Sequence, residues 1–247
     1  MQKNIKILLA YDGSHYLGWQ KAKEASTIEG ILQSRLQQIL QENIKLQAAS
    51  RTDTGVHAEE QVVNFLTHKH PLDLNKLKRS LNQMLPQDIR VKALFLAPAH
   101  FHPTLDTQGK EYHYFLTNQS IQLPFDRHYA WHFPLPLDQH LMKKAAALFV
   151  GTHNFKSLCN ISQDSPSNFI KTLHRFEIFN QENGFRFEIQ GDHFLYKMIR
   201  NLVGTVVYVG AKKLSFQEVI SLLEKQNRTY AGITAPAHGL FLKKVYY

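Results

Sequence analysis

The sequence predicts an α+β fold in which two ferredoxin-like (RRM-like) α/β subdomains join into one mixed, largely antiparallel sheet flanked by helices and loops. Three observations lead to this prediction. Short apolar runs typical of strands alternate with segments whose apolar residues recur at helical spacing. A similar order of elements occurs in both halves of the chain. The 247 residues, 43% hydrophobic and 20% charged, suffice for two units with ordinary cores. We expect the subdomains to span residues 1–105 and 106–247.

The first half is expected to follow the order β-α-β-β-α-β. The apolar run at residues 6–11 ends in Asp12-Gly13, a turn signal. Thr27 precedes a segment with apolar residues at helical spacing, and a second such segment has four apolar residues on one face. The predicted strands cover residues 6–11, 44–49, 61–66 and 89–96, and the predicted helices cover residues 28–40 and 74–84.

The second half approximates the same order. An aromatic-rich strand opens it, and Asn183-Gly184 marks the turn of a hairpin. Asp138 is available near the start of the first helix of this half. The predicted strands cover residues 111–117, 129–133, 169–179, 184–190 and 240–246, and the predicted helices cover residues 137–150, 194–210 and 216–224.

The charge balance favours a polyanionic partner. Lys and Arg number 29 against 20 Asp and Glu, which gives a net charge of +9. Phosphate contacts dominate nucleic-acid affinity, so nucleic acid is one candidate and a generic basic enzyme the other. The 14 histidines suggest metal binding, but the closest pairs, at residues 68 and 70 and at 100 and 102, lack a nearby Cys or a helical Glu partner. We therefore expect no metal site.

Cysteine usage and apolar segments indicate a cytoplasmic protein. Cys159 is the single cysteine, so an intrachain disulfide is impossible and secretion gains no support. The N-terminus lacks a signal-peptide pattern. The longest apolar stretch, residues 202–211, is too short to span a bilayer.

Residues 49–65 present a carboxylate, Asp53, in a short polar turn between two strand-like segments. Arg51 supplies a positive charge that favours the ionised form of this carboxylate. Gly55 permits a left-handed backbone, and His57 adds a polar group that can fix the turn. A loop Asp is most often a turn residue that bonds its own backbone, so these residues alone leave a structural role and a functional role open.

Two further clusters could serve a site. Arg200 falls near the edge of the apolar face of the helix predicted at residues 194–210, either as a solvated guanidinium or as a partly buried partner of Asp53. Tyr112 and Tyr114 point to the same face of the strand predicted at residues 111–117. They are either half-buried sheet aromatics or a surface on which a nucleobase stacks.

The chain resembles the TruA family of tRNA pseudouridine synthases over essentially its whole length. The segments that carry the resemblance are YDGSHYLGWQ at 11–20, SRTDTGVHAEEQVVNF at 50–65, FHP at 101–103, KEYHYFLTN at 110–118, HNF at 153–155, FLYKMIRNLVGT at 194–205 and GLFLKKVYY at 239–247. The family pattern usually reads GRTDAGVH, and here Ser50 and Thr54 replace its Gly and Ala. These small changes affect the local loop geometry and leave the carboxylate in place.

The resemblance implies isomerisation of uridine to pseudouridine at positions 38, 39 and 40, in the anticodon arm of tRNA, by a homodimer without cofactor or metal. It implies that Asp53 is the catalytic residue. The residues that the resemblance and the motif suggest for substrate binding are Tyr112, Arg51, Arg200, Leu240, Leu242 and His57. Among these, Arg200 is implied to pair with the catalytic carboxylate, and Arg51 to help displace the target base.

Two other functions remain alternatives at this point. A non-catalytic tRNA- or RNA-binding module with tandem ferredoxin-like folds would use aromatics on its sheet, but the usual RNP aromatic consensus is absent. A retaining glycoside or nucleoside hydrolase would need a second carboxylate near Asp53, and Glu59 and Glu60 are the close candidates. Analysis of the reaction product separates isomerisation, binding and hydrolysis.

Overall fold

The computed structural model describes residues 2–20, 26–161 and 168–247, and it confirms the predicted α+β class with mixed, mostly antiparallel strand pairing. The strands are β1 (Lys3–Tyr11), β2 (Gln47–Ala48), β3 (His57–Thr67), β4 (Ile89–Ala97), β5 (Gly109–Thr117), β6 (Trp131–His132), β7 (Gly151–Asn154), β8 (Ile170–Gln181), β9 (Gly184–Gly191) and β10 (Leu240–Tyr246). The helices are α1 (Ile28–Leu40), α2 (Leu74–Met84), α3 (Gln139–Ala147), α4 (Met198–Gly210) and α5 (Phe216–Lys225). In these described ranges, no helix combines the length and apolar character needed to cross a membrane.

The chain forms two compact units. The first contains Met1–Gln108 together with Phe241–Tyr247, and the second contains Gly109–Leu240. This division differs from the predicted boundary near residue 105, and it returns the last strand to the first unit. The reason is a parallel pairing of β10 with β3, in which Phe241 faces His57 and Leu242 faces Ala58.

The first unit has the strand order β4-β1-β3-β10, with β2 paired to β3. Strand β1 is antiparallel to both of its neighbours, and its alternate residues Ile5, Ile7 and Leu9 are fully buried. The helices begin at side-chain caps, since Thr27 accepts from the Gly30 amide and Asp73 accepts from the Lys76 amide. These caps and the apolar period explain why α1 and α2 have the predicted bounds.

The second unit has the strand order β5-β9-β8-β7, with β6 parallel to β5. One face of this sheet is apolar. Helices α3 and α4 pack together, and α4 is buried on nearly every side. The buried residues of that sheet face are Tyr112, Tyr114, Leu116, Phe176, Ile178, Phe185, Phe187 and Ile189.

Some predicted elements are wrong in extent. The strand predicted at residues 44–49 pairs only at β2, and β6 is equally short. Helix α4 begins at Met198 instead of residue 194, because Lys197 adopts a left-handed backbone with φ of 58° that cannot continue a helix. Helix α3 is shorter at both ends than predicted, and Asp138 is its N-cap. Strand β7, with the polar sequence GTHN, was not predicted because it lacks an apolar alternation.

Candidate active site

Asp53 lies in the loop between β2 and β3, and its side chain is partly exposed. The Val56 amide donates to the Asp53 carbonyl at 3.1 Å, which closes a four-residue turn. Gly55 has a φ of 78°, a conformation that a residue with a side chain rarely adopts. The main chain therefore closes the turn itself and holds the Asp53 backbone in one conformation. Arg51, two residues earlier, is exposed.

Buried side chains from β1 and β3 anchor the loop on the N-terminal side of Asp53. The hydroxyls of Tyr11 and Thr52 form a hydrogen bond of 2.7 Å. The fully buried Gln61 amide donates to the Ser50 carbonyl at 2.7 Å, and the Ser50 amide donates back to Gln61 Oε1 at 3.2 Å. Each anchor ties the loop to a strand of the sheet, so the position of Asp53 follows from the core of the first unit.

The loop after β1 packs directly on the Asp53 turn. The Trp19 amide donates to the Thr52 carbonyl at 3.0 Å. A Cβ at Gly18 would lie 2.7 Å from the Thr52 oxygen, and Gly18 has a φ of 83°. A Cβ at Gly13 would lie only 2.1 Å from the Val56 oxygen. These glycines allow two backbones to touch, which explains why the YDGSHYLGW segment accompanies the Asp53 segment in this sequence.

His57 joins the turn to the C-terminal strand and is only 1% exposed. The Gly13 amide donates to His57 Nδ1 at 3.0 Å, and Asp12 Oδ1 lies at the same distance from that nitrogen. The imidazole stacks on Phe241, with ring centroids 4.5 Å apart and an interplanar angle of 22°. The neighbouring Leu242 is fully buried. His57 thus acts as a packing and hydrogen-bonding residue beneath the turn.

Tyr112 lies on β5 of the second unit and is 5% exposed. The edge of its ring meets Phe194 in a T-shaped contact, with centroids 5.3 Å apart. Tyr114, on the same face, is fully buried and its hydroxyl donates to the Pro236 carbonyl at 2.8 Å. Burial raises the pKa of the Tyr114 phenol well above its usual value. Tyr114 is therefore a neutral structural donor.

Arg200, in the first turn of α4, is half-buried and bound to the segment that precedes β10. Its Nε donates to the Ala235 carbonyl at 2.7 Å, and the Ala235 amide donates to the Arg200 carbonyl at 3.1 Å. The positive charge of Arg200 partly offsets the effect of burial on the pKa of Tyr114. These two hydrogen bonds join the start of α4 to Ala235 and hold the Arg200 side chain against that segment.

The buried Asn201 holds the same segment. Its amide nitrogen donates to Leu158 O and Asn160 Oδ1, both at 3.1 Å. Its Oδ1 accepts from Arg228 Nη2 at 2.9 Å and from Thr234 Oγ1 at 2.6 Å. Asn201, the residue after Arg200, thus ties the start of α4 to residues 228–234.

Close backbone contacts complete this arrangement up to Leu240. A Cβ at Gly204 would lie 1.8 Å from the Ile233 oxygen, so α4 and residues 232–236 touch. A Cβ at Gly239 would lie 2.7 Å from Tyr114 Cζ. Leu240 follows and is buried.

The opposite face of β5 carries a compact charged cluster. Glu111, His113 and Glu188 bring three possible metal-ligand atoms within 4.8 Å of one another. Arg175 already binds Glu111 at 2.9 Å and Glu188 at 3.2 Å, and Arg186 binds Glu188 at 2.8 Å. The carboxylate oxygens of Glu111 and Glu188 are therefore occupied by guanidinium groups, whose positive charge disfavours a metal cation at the same oxygens.

Each unit groups part of the predicted site. The first unit contains Arg51, Asp53 and His57 in one short segment. It also pairs His57 with Phe241 of β10, the strand that contains Leu242. The second unit connects Arg200 to Leu240 through residues 235–239, which also contact the ring and hydroxyl of Tyr114.

Several residues that support these groups had no predicted role, namely Tyr11, Thr52, Gln61, Asn201 and Phe194. Gln61 could have been recognised as a polar residue within an otherwise apolar strand. Asn201 could have been recognised as a polar residue on the apolar face of a helix.

Comparison with known proteins identifies one family. The family described as tRNA pseudouridine synthase matches residues 7–103 and 145–247. A protein named tRNA pseudouridine synthase A 2, from Protochlamydia amoebophila (strain UWE25), is 46% identical, with 99% of this chain and 94% of that protein aligned. A tRNA pseudouridine synthase A from Thermoanaerobacter sp. (strain X514) is 40% identical, over 99% of this chain and all of its own length.

Among solved structures, a chain of the Cbf5-Nop10-Gar1 complex aligns with 96% of this chain and 57% of its own length. The identity is 15% and the TM-score is 0.36, which is too low to carry an argument.

Proposed function

Because the chain belongs to the tRNA pseudouridine synthase family, and is thus an isomerase that forms pseudouridine in tRNA, we propose that it acts at positions 38, 39 and 40 of the anticodon stem-loop with Asp53 as its catalytic carboxylate. The observation that supports the role of Asp53 is that hydrogen bonds hold its turn in place while its side chain remains accessible. A main-chain hydrogen bond and two buried side-chain anchors hold the turn, and the side chain remains partly exposed. Family membership also removes the two alternatives, a non-catalytic RNA-binding module and a hydrolase.

The reaction rearranges one nucleotide without changing its mass. The N1–C1′ bond breaks, uracil rotates, and a C5–C1′ bond forms while the C5 hydrogen is lost and N1 gains a proton. The target base must leave its stack first, which costs a few kcal/mol. An ionised Asp53 can attack C1′, attack C6 or accept the C2′ proton, and a neutral acid can do none of these.

The other proposed site residues complement this carboxylate. Tyr112 stacks on uracil and helps to remove the C5 proton after rotation. Its T-shaped contact with Phe194 holds its ring for that purpose. Arg200 has the role of basic partner that the resemblance implies for the carboxylate, and the bond from Nε to Ala235 O orients its guanidinium.

Three residues have accessory roles in this proposal. Arg51, which is exposed, helps to displace the target base. The buried Leu240 and Leu242 supply apolar surface near the base.

The proposed assembly is a cytoplasmic homodimer with tRNA as its partner. A net charge of +9 per chain favours a polyanion, and a dimer doubles the charge available to hold the anticodon arm. The buried, unbridged Cys159 is compatible with a reducing compartment. Small-angle scattering over a dilution series tests the dimer, and a monomer at all concentrations would contradict it.

Tritium release from tRNA labelled at C5 of uridine tests the role of Asp53. Asp53→Asn should bind tRNA but release no tritium, because its amide is neither a base nor a nucleophile. Asp73→Asn is the matched control, since Asp73 is the exposed N-cap of α2 and Asn caps equally well. Normal release by Asp53→Asn would exclude the proposed role, and mapping of pseudouridine in the product tests the three positions.

A further inference from the structure

Lys110 is buried next to the proposed base-binding tyrosine. It is the second residue of β5, its side chain is 7% exposed, and it faces Gly191 across the β5–β9 pair. Alternate residues of a strand share a face, so Lys110 and Tyr112 lie on the same face with about 7 Å between their Cα atoms. Lysine is almost never this buried unless an anion accompanies it.

No such anion accompanies Lys110. Within residues 2–20, 26–161 and 168–247, its ammonium group has neither a hydrogen bond nor an ion pair. Burial lowers the pKa of Lys110 to about 8, and no neighbouring carboxylate counteracts this effect. Among the described residues, therefore, no group compensates the charge of this desolvated ammonium group.

A second lysine, Lys171, lies in the same region as Lys110, since both act on the pKa of His193. Burial lowers the pKa of His193, and the positive charges of Lys110 and Lys171 lower it further. Asp192 is the nearby acid, and its Oδ1 accepts from the amides of Thr172 and His193. The charged side chains close to this corner of β5 and β9 thus favour an incoming anion.

We propose that Lys110 binds a non-bridging oxygen of a backbone phosphate of the tRNA, beside the nucleotide whose base stacks on Tyr112. The inference rests on the proposed function, because it takes the substrate and the role of Tyr112 from it. A phosphodiester is the anion that this substrate brings to every nucleotide. Its arrival gives Lys110 a charge partner that none of the described residues supplies, and a charge-assisted hydrogen bond in a desolvated site is stronger than one at the surface.

The test measures tRNA affinity as a function of salt in an Asp53→Asn background, where no turnover is expected. The variants are Lys110→Met, which removes the charge but keeps an unbranched apolar stem, and Lys110→Arg, which restores a charge. We expect Lys110→Met to bind roughly 10-fold more weakly at low salt and to lower the slope of log affinity against log salt by about 1. Lys110→Arg should retain most of the affinity and the slope.

Lys76→Met is the control for net charge, because Lys76 is exposed on α2 and belongs to the first unit. Its affinity and salt slope should remain those of the parent. An unchanged slope in Lys110→Met, an equal change in Lys76→Met, or an equal loss in Lys110→Arg would each overturn the phosphate contact.

The outcome is separable from that of the proposed function. Tritium release by Asp53→Asn alone would remove the catalytic role of Asp53, whatever the lysine variants do. If Asp53→Asn is inactive but its Lys110→Met derivative keeps the parental slope of log affinity against log salt, only the proposed phosphate contact is refuted. Circular dichroism of each variant verifies that the fold is intact before binding is measured.

Discussion

The hydroxyl of Tyr11 lies 2.7 Å from that of Thr52, and this hydrogen bond links the end of β1 to the residue before Asp53. Both side chains are buried, so the bond is shielded from competing water. The position of the proposed catalytic carboxylate therefore depends on a phenol that is distant in sequence.

Tyr11→Phe removes this bond and should lower kcat roughly 10-fold with little change in KM, because the Asp53 turn loses one anchor. Steady-state tritium release measures both constants. Tyr247→Phe is the matched control. It also removes a phenol hydrogen bond of the first unit, from Tyr247 to the Pro103 carbonyl at 2.8 Å, but it leaves the loop untouched. Equal kcat values for the two variants would mean that the Tyr11 anchor has no special effect.

Tyr112→Phe should fold normally and slow the tritium-release step, since the ring still contacts Phe194 but the hydroxyl proposed to assist proton removal is gone. We expect tRNA affinity to stay within about 2-fold, because stacking depends on the ring. Single-turnover kinetics separates the chemical step from binding. Unchanged single-turnover rates would make the Tyr112 hydroxyl dispensable.

Tyr114→Phe should have the opposite pattern, although it lies two residues away on the same strand face. The Tyr114 hydroxyl donates to the Pro236 carbonyl, so the substitution leaves a buried acceptor unsatisfied. We expect a loss of about 1–3 kcal/mol in the free energy of unfolding. Urea denaturation measures it, and a stability equal to that of the unsubstituted protein would refute the structural role of this hydroxyl.

Gly204→Ala should destabilise the protein although Ala normally stabilises a helix by roughly 1 kcal/mol relative to Gly. The new Cβ would lie 1.8 Å from the Ile233 oxygen, so α4 must move away from residues 232–236. We expect a loss of about 2–3 kcal/mol, typical of overpacking, together with reduced activity because Arg200 is bound to Ala235. A raised melting temperature would show that the two segments do not touch.

Lys110→Met should stabilise the free protein while it weakens tRNA binding. The pKa of Lys110 is about 8 in the folded chain and near its ordinary value of 10.5 in the unfolded chain. Between these pH values the unfolded chain binds more protons, so stability rises with pH, and below pH 8 the full cost of the buried charge is present. That cost is on the order of 3 kcal/mol, since the pKa falls from 10.5 to about 8.

The measurement for this prediction is urea denaturation between pH 7 and 10. The gain from Lys110→Met should be largest near pH 7 and should shrink as the pH rises past 8 and Lys110 loses its proton. The other charged groups at this corner, His193, Asp192 and Lys171, are common to both proteins. A destabilised Lys110→Met protein at pH 7 would mean that the ammonium group already has a partner in the free fold.

Local signals were sufficient for much of the fold. Helices α1 and α2 were predicted to the residue, because an apolar period and a capping residue act within a few positions of each other. The start of α4 was predicted wrongly, because the left-handed conformation of Lys197 depends on the surrounding structure and not on lysine itself.

The sequence predicted less of the candidate site than of the fold. The resemblance pointed to Asp53, Tyr112 and Arg200, but it could not indicate that Gln61 and Tyr11 anchor the turn, since these bonds join residues 11 to 41 positions apart. Nor could it distinguish the exposed Arg51 from the buried His57. The difference arises because β10 brings Phe241 against the imidazole from the far end of the chain.

The parallel pairing of β10 with β3 also constrains the order of events during synthesis. The second unit is inserted between β4 and the strand that completes the sheet of the first unit. A ribosome therefore finishes residues 109–240 before it makes Phe241, the stacking partner of His57. The contact between His57 and Phe241 beneath the Asp53 loop can therefore form only after the whole second unit has been translated.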